Sequence, residues 1–110
     1  MGIDVYLRWK GQTREEKENQ YTGYLNAGAD GYLREGFNQN YFATDIMFPK
    51  AKFGKSVKIS NEILAARLPA MEKLYREKGE SEEEIQHWRD FVALHSKLER
   101  EGKLPRIEVR

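Results

Sequence analysis

The chain has 110 residues, of which 39% are hydrophobic, 12% aromatic and 34% charged; this suits one compact domain over 1–110 and is too apolar for a disordered tail. Nineteen Lys and Arg against eighteen Asp and Glu give a formal charge of +1, so bulk charge points to neither nucleic acid nor an anionic membrane. The absence of cysteine excludes a disulfide scaffold, a thiol nucleophile and a Cys-based zinc site, and no apolar run approaches the roughly 18 residues that span a bilayer.

Residues 3 to 9 alternate Ile3, Val5, Leu7 and Trp9 with Asp4, Tyr6 and Arg8, the period-2 pattern of a half-buried strand. Asp4 and Arg8 break the apolar run that a secretory leader needs, and Tyr6 stands where a myristoylation signal carries Ser or Thr, so the expected location is the cytoplasm. GQTREEKENQ at 11 to 20 predicts a surface loop or one short helical turn, with Thr13 and Glu16 at capping-box spacing. Glycines at 23, 28, 31 and 36 among Tyr21, Tyr24, Tyr32 and Leu33 predict short strands broken by turns, Gly28 and Gly31 being turn residues. Tyr41 to Phe48 (YFATDIMF) reads as a further strand, reached through the polar NQN at 38 to 40 and ended by Pro49.

After a lysine-rich connection, Ser60 opens a helix whose apolar stripe is Ile63, Leu64, Leu68, Met71, Leu74 and Tyr75. Pro69 inside it predicts a kink, or a stop near Arg67 and a restart, and Gly79 ends it. Ser81 and Glu84 form a second capping box ahead of Ile85, Trp88, Phe91, Val92, Leu94, His95 and Leu98, a helix to about Gly102 that folds back as an αα-hairpin. Leu104 to Val109 returns as a closing strand, which Pro105 assigns to a sheet edge. The resulting class is α+β: a small antiparallel or mixed sheet of about four strands with the C-terminal helical hairpin packed on one face.

Eight of the thirteen aromatics fall between residues 21 and 53, more than one small sheet face buries, so some are expected to line a groove or an interface. If the GYLRE strand neighbours the first one, Tyr6, Arg8, Tyr32 and Arg34 share a face, and with Tyr24 and Tyr41 they make the expected binding patch, since interfaces favour Tyr and Arg. The function this implies is a non-enzymatic binding or protein-interaction protein that meets a protein partner or self-associates. One alternative is a nucleic-acid-binding accessory protein: Lys50, Lys52, Lys55 and Lys58, interleaved with Phe48 and Phe53, suit phosphates and base stacking, unless they face the acidic turn at 77 to 84. Another is a small-ligand site or enzyme around Asp4, Tyr6 and Arg8, an acid, a phenol and a guanidinium in a row.

Gly54, Lys55 and Ser56 spell the end of a phosphate-binding loop, but Pro49 stands where the motif needs its earlier glycine. His87 and His95 are separated by about 80° around one helix, so they share no metal; His95 reads as partly buried and hydrogen-bonded, His87 as exposed. Ser56, Ser60, Ser81 and Ser96 fit caps, turns or surface positions, so no catalytic residue, metal or cofactor is expected.

The opening MGIDVYLRWKGQT, QYTGYL at 20 to 25, GYLRE at 31 to 35 and LP at 68 and 69 resemble a family of short uncharacterised bacterial and phage proteins. The resemblance covers most of the chain and implies a bacterial or phage-borne cytoplasmic protein; it implies neither an enzyme nor a cofactor.

Overall fold

The structure, a computed structural model, describes residues 2–22, 26–36, 40–51 and 54–110. Tyr24, Phe37, Lys52 and Phe53, and most of the NQN connection, lie outside the described residues.

The first predicted strand forms as β1 (Gly2–Arg8), with Val5 and Leu7 fully buried. It pairs with β2 (Tyr32–Gly36) on one side and β4 (Arg106–Val109) on the other, and β4 pairs with the three-residue β3 (Lys55–Val57). The sheet is antiparallel throughout, in the order β2-β1-β4-β3. The edge position expected for the last strand is therefore corrected: β4 is central. Pro105 sits just ahead of it, and every residue that pairs carries an N–H, so the proline removes no ladder bond.

On one face of the sheet lies the predicted hairpin of α4 (Asn61–Glu77) and α5 (Glu82–Arg100). Each helix starts at its predicted serine: Ser60 Oγ accepts from the Ile63 N–H at 3.5 Å and Ser81 Oγ from the Glu84 N–H at 3.2 Å. Leu64, Met71 and Tyr75 of α4 and Ile85, Trp88, Phe91 and Leu98 of α5 pack over Ile3, Val5, Leu7, Leu33, Ile107 and Val109. Pro69 neither stops nor restarts α4, contrary to one of the two expectations. Its missing N–H would have met the Ala65 carbonyl, and both residues are exposed, so the lost bond falls on the solvent side of the helix and not in the core. Ile63 leaves the expected stripe and is 44% exposed.

Between β1 and α4 the structure corrects three sequence expectations. The segment after Gly11 is no loop or single turn but the nine-residue α1 (Arg14–Thr22). Its capping box closes as predicted, Thr13 Oγ1 accepting from the Glu16 N–H at 3.1 Å and Glu16 Oε1 from the Thr13 N–H at 2.9 Å. The residue it buries is Gln20, which leaves no aliphatic period to read.

The glycine-rich stretch forms one strand, β2, preceded by a short helix, α2 (Ala27–Asp30). Gly31 is a turn residue as expected, at φ +88°, whereas Gly28 lies inside α2 and lets it rest directly on α5. A Cβ at Gly28 would stand 1.8 Å from the His87 carbonyl oxygen. Gly28→Ala is expected to push the two helices apart and cost about 2 to 3 kcal/mol, seen as a lower urea midpoint at unchanged m-value. A loss below about 0.5 kcal/mol would show that α2 moves aside freely.

The strand predicted over Tyr41 to Phe48 is instead α3 (Ala43–Met47), which buries Ala43, Thr44 and Met47. A short apolar run has no period that separates strand from buried helix, and here a side chain from another element caps the helix.

Candidate functional site

Register places Tyr6 opposite Tyr32 and Asp4 opposite Arg34, so Tyr6, Arg8, Tyr32 and Arg34 do share the sheet face away from the hairpin. Much of that face serves the fold. Arg8 donates to Glu108 Oε2 at 2.9 Å, Gln20 Oε1 at 2.7 Å and the Tyr21 hydroxyl at 3.0 Å, and its guanidinium lies over the Tyr6 ring at 4.9 Å. Gln20 in turn donates to the Leu7 carbonyl at 2.7 Å, which docks α1 onto β1. The Tyr32 hydroxyl donates to Asp4 Oδ1 at 2.6 Å, with Arg34 Nη1 at 3.6 Å from the same oxygen. Burial, and next the Asp4 charge, push the Tyr6 phenol up. Burial also pushes the Glu108 carboxyl up, but Arg8 and Arg110 outweigh it and hold the group below the usual carboxylate range.

Tyr41 is not on this face, which corrects the patch drawn from sequence. Its ring packs edge-on to Tyr75 at 6.3 Å, its hydroxyl donates to the Glu80 carboxylate, and Lys78 Nζ lies 5.6 Å from its ring centre. The Glu80 hydrogen bond, with burial, pushes the Tyr41 phenol up to about 12.

Glu35, on β2 and only 3% exposed, is a site residue that sequence reading missed. Its Oε2 accepts from the Ala43 N–H and the Tyr75 hydroxyl, both at 2.7 Å, and its Oε1 from the Thr44 N–H at 2.9 Å. Phe42, at the N-cap of α3, has no side chain able to cap, so a carboxylate from the sheet satisfies the first turn. Burial and the Glu35 charge hold the Tyr75 phenol protonated, well above its usual range.

Glu35 forms the inner end of a cleft of about 390 Å³ running along β2 and roofed by the α4–α5 turn. The wall from β2 is Tyr32 to Gly36; opposite stand Tyr75, Glu80, Glu84 and His87. The described lining thus has three carboxylates against the guanidinium of Arg34, itself paired with Asp4. Among the described residues the Glu84 carboxylate makes no hydrogen bond or ion pair, and burial, helped by Glu80, Glu83 and Glu35, pushes its carboxyl up. His87 is not exposed as expected: its side chain is 16% exposed, lines this cleft and has Nε2 3.9 Å from Glu83 Oε1.

His95 is fully buried, further in than expected, with Nδ1 3.3 Å from Asn61 Nδ2; burial pushes its imidazole down and keeps it neutral. Among the described residues no group of three or more His, Cys, Asp or Glu is placed to hold a metal, and no helix is long and apolar enough to cross a membrane.

The basic residues Lys50, Lys55 and Lys58 gather at the N-terminal end of α4, whereas Glu77, Glu80, Glu82, Glu83 and Glu84 gather at its other end. Seventeen helical residues, about 25 Å, separate the two groups, so the lysines do not face the acidic turn of their own chain. Gly54 precedes β3, and Lys55 and Ser56 lie within it rather than opening a helix, so they build no phosphate-binding loop. Ser56 Oγ accepts from Arg106 and Ser96 Oγ from Arg100, both at 3.1 Å.

No protein-family model, curated protein or solved structure matches the chain.

Proposed function

We propose that this protein is a non-enzymatic binding protein and that its ligand is a small organic cation, an amine or guanidinium, held in the cleft beside β2. The observation that carries this reading is the half-buried Glu84 carboxylate, which makes no hydrogen bond or ion pair among the described residues and stands with Glu80 on the wall opposite Glu35. A cation entering there relieves repulsion among the three acids and gains charge-assisted hydrogen bonds, about 1.5 to 3 kcal/mol for each good one. Tyr32 and Arg34, which the sequence singles out, form the outer wall. The resemblance in MGIDVYLRWKGQT, together with the lack of cysteine, favours a bacterial or phage-borne protein working in the cytoplasm.

Isothermal titration calorimetry with spermidine tests the reading. Binding is expected for the natural chain and should weaken about tenfold or more in Glu84→Gln, whose side chain keeps its shape but loses the charge. Because burial raises the Glu84 carboxyl above an ordinary glutamate, affinity should fall as pH drops through that raised value, since the protonated acid no longer attracts a cation. Absence of binding, or equal binding by Glu84→Gln, would remove the proposal.

A further inference from the structure

At the far end of α4 from the acid cleft, the edge strand β3 and the first turns of α4 enclose a second groove of about 220 Å³. Val57, Ile59 and Ile63 form its apolar floor, and Lys50, Lys58 and Arg67 stand around it. The groove continues past Lys58, Ile59 and Ser60 into a hollow of about 460 Å³ beside Leu104, which is 54% exposed at φ +50°. Ile63 and Leu104 are thus two of the large apolar side chains left exposed, and both border this surface.

None of Lys50, Lys55, Lys58 and Arg67 makes an ion pair among the described residues; Arg67 donates only to the Met47 carbonyl, at 2.8 Å. Nor, among the described residues, does any strand pair with the outer side of β3. Lys55 on the edge strand is of the kind that guards against unwanted pairing, but the exposed Ile63 in the adjoining groove adds apolar surface of the kind that marks an interaction site.

We infer that this groove takes an extended, acidic peptide segment of a partner protein, which adds to β3 as a further strand and places aliphatic side chains against Ile59 and Ile63. The open strand edge supplies main-chain hydrogen bonds, the floor accepts alternate side chains of the peptide, and Lys50, Lys58 and Arg67, which make no ion pair among the described residues, match acidic side chains between them. Nucleic acid meets the charge requirement but leaves the aliphatic floor without use. A second copy of this chain is a poorer fit, because its acidic end at 77 to 84 has no exposed large apolar side chain.

Fluorescence anisotropy with a short labelled peptide that alternates glutamate and leucine tests this. The peptide should bind the natural chain, and Lys58→Glu and Ile63→Ser, both at exposed positions, should each weaken it about tenfold or more while leaving thermal melting unchanged. Four results would overturn the inference. The peptide fails to bind; a lysine-for-glutamate version binds equally well; a labelled oligo-dT binds and is weakened by Lys58→Glu but not by Ile63→Ser; or light scattering finds a dimer that Lys58→Glu dissolves.

Discussion

Glu35→Ala is expected to destabilise the protein by about 3 to 5 kcal/mol, lowering Tm by roughly 15 °C or more. The carboxylate is the acceptor for two N–H groups of α3 and for the Tyr75 hydroxyl, and all three donors are buried with it. Removing it leaves each of these buried donors without its acceptor, at about 1 to 3 kcal/mol for each. Glu35→Gln should give little rescue, because an amide turns N–H donors toward donors already there. Urea denaturation checks both variants. A loss below about 1 kcal/mol for Glu35→Ala would mean that water reaches the first turn of α3 and that Glu35 does not tie β2 to α3 and α4.

Trp88→Ala should cost about 3 to 5 kcal/mol as well, for a different reason. Trp88 is 1% exposed, with its ring centre 5.8 Å from that of Phe48 and 6.4 Å from that of Phe91, so truncation opens a cavity among aromatic groups that do not collapse into it. The loss should appear in the urea midpoint, with near-UV circular dichroism reporting the loosened ring cluster. Because Phe48 follows α3 and Trp88 lies on α5, the double variant Trp88→Ala with Glu35→Ala should fall short of additivity: both release α3. A single-variant cost under about 1 kcal/mol would show that Phe48 and Phe91 close over the gap.

The elements legible in the sequence were those whose signals are local. β1 shows its alternation, α4 and α5 their serines and apolar stripes, and Gly79, at φ +76°, the turn between them. Those misread depend on contacts distant in sequence. The start of α3 is capped by Glu35, eight residues earlier, rather than by Phe42. α1 is held by Gln20, whose partners Leu7 and Arg8 lie on β1, and a polar anchor leaves no hydrophobic period. The shared face of Tyr6, Arg8, Tyr32 and Arg34 could be read because alternation along two strands fixes it once they pair. The acid cleft could not, since it joins β2 to the α4–α5 turn; the one sequence signal was the acidic residue that ends GYLRE, at a position that alternation turns to the same side as the buried Leu33.

The two strands at the centre of the sheet come from opposite ends of the described chain, and Asp4 and Arg110 exchange backbone hydrogen bonds of 2.8 and 2.7 Å. During synthesis β1 therefore waits for β4 to be made, with one flank open until then, while the α4–α5 hairpin needs only its own neighbours. The entropy of bringing such distant segments together grows only logarithmically with their separation, so the finished sheet loses little stability to this arrangement. Its burden is kinetic: folding waits on one long-range encounter, and a nascent chain halted before β4 carries the unpaired edge of β1 into a crowded solution.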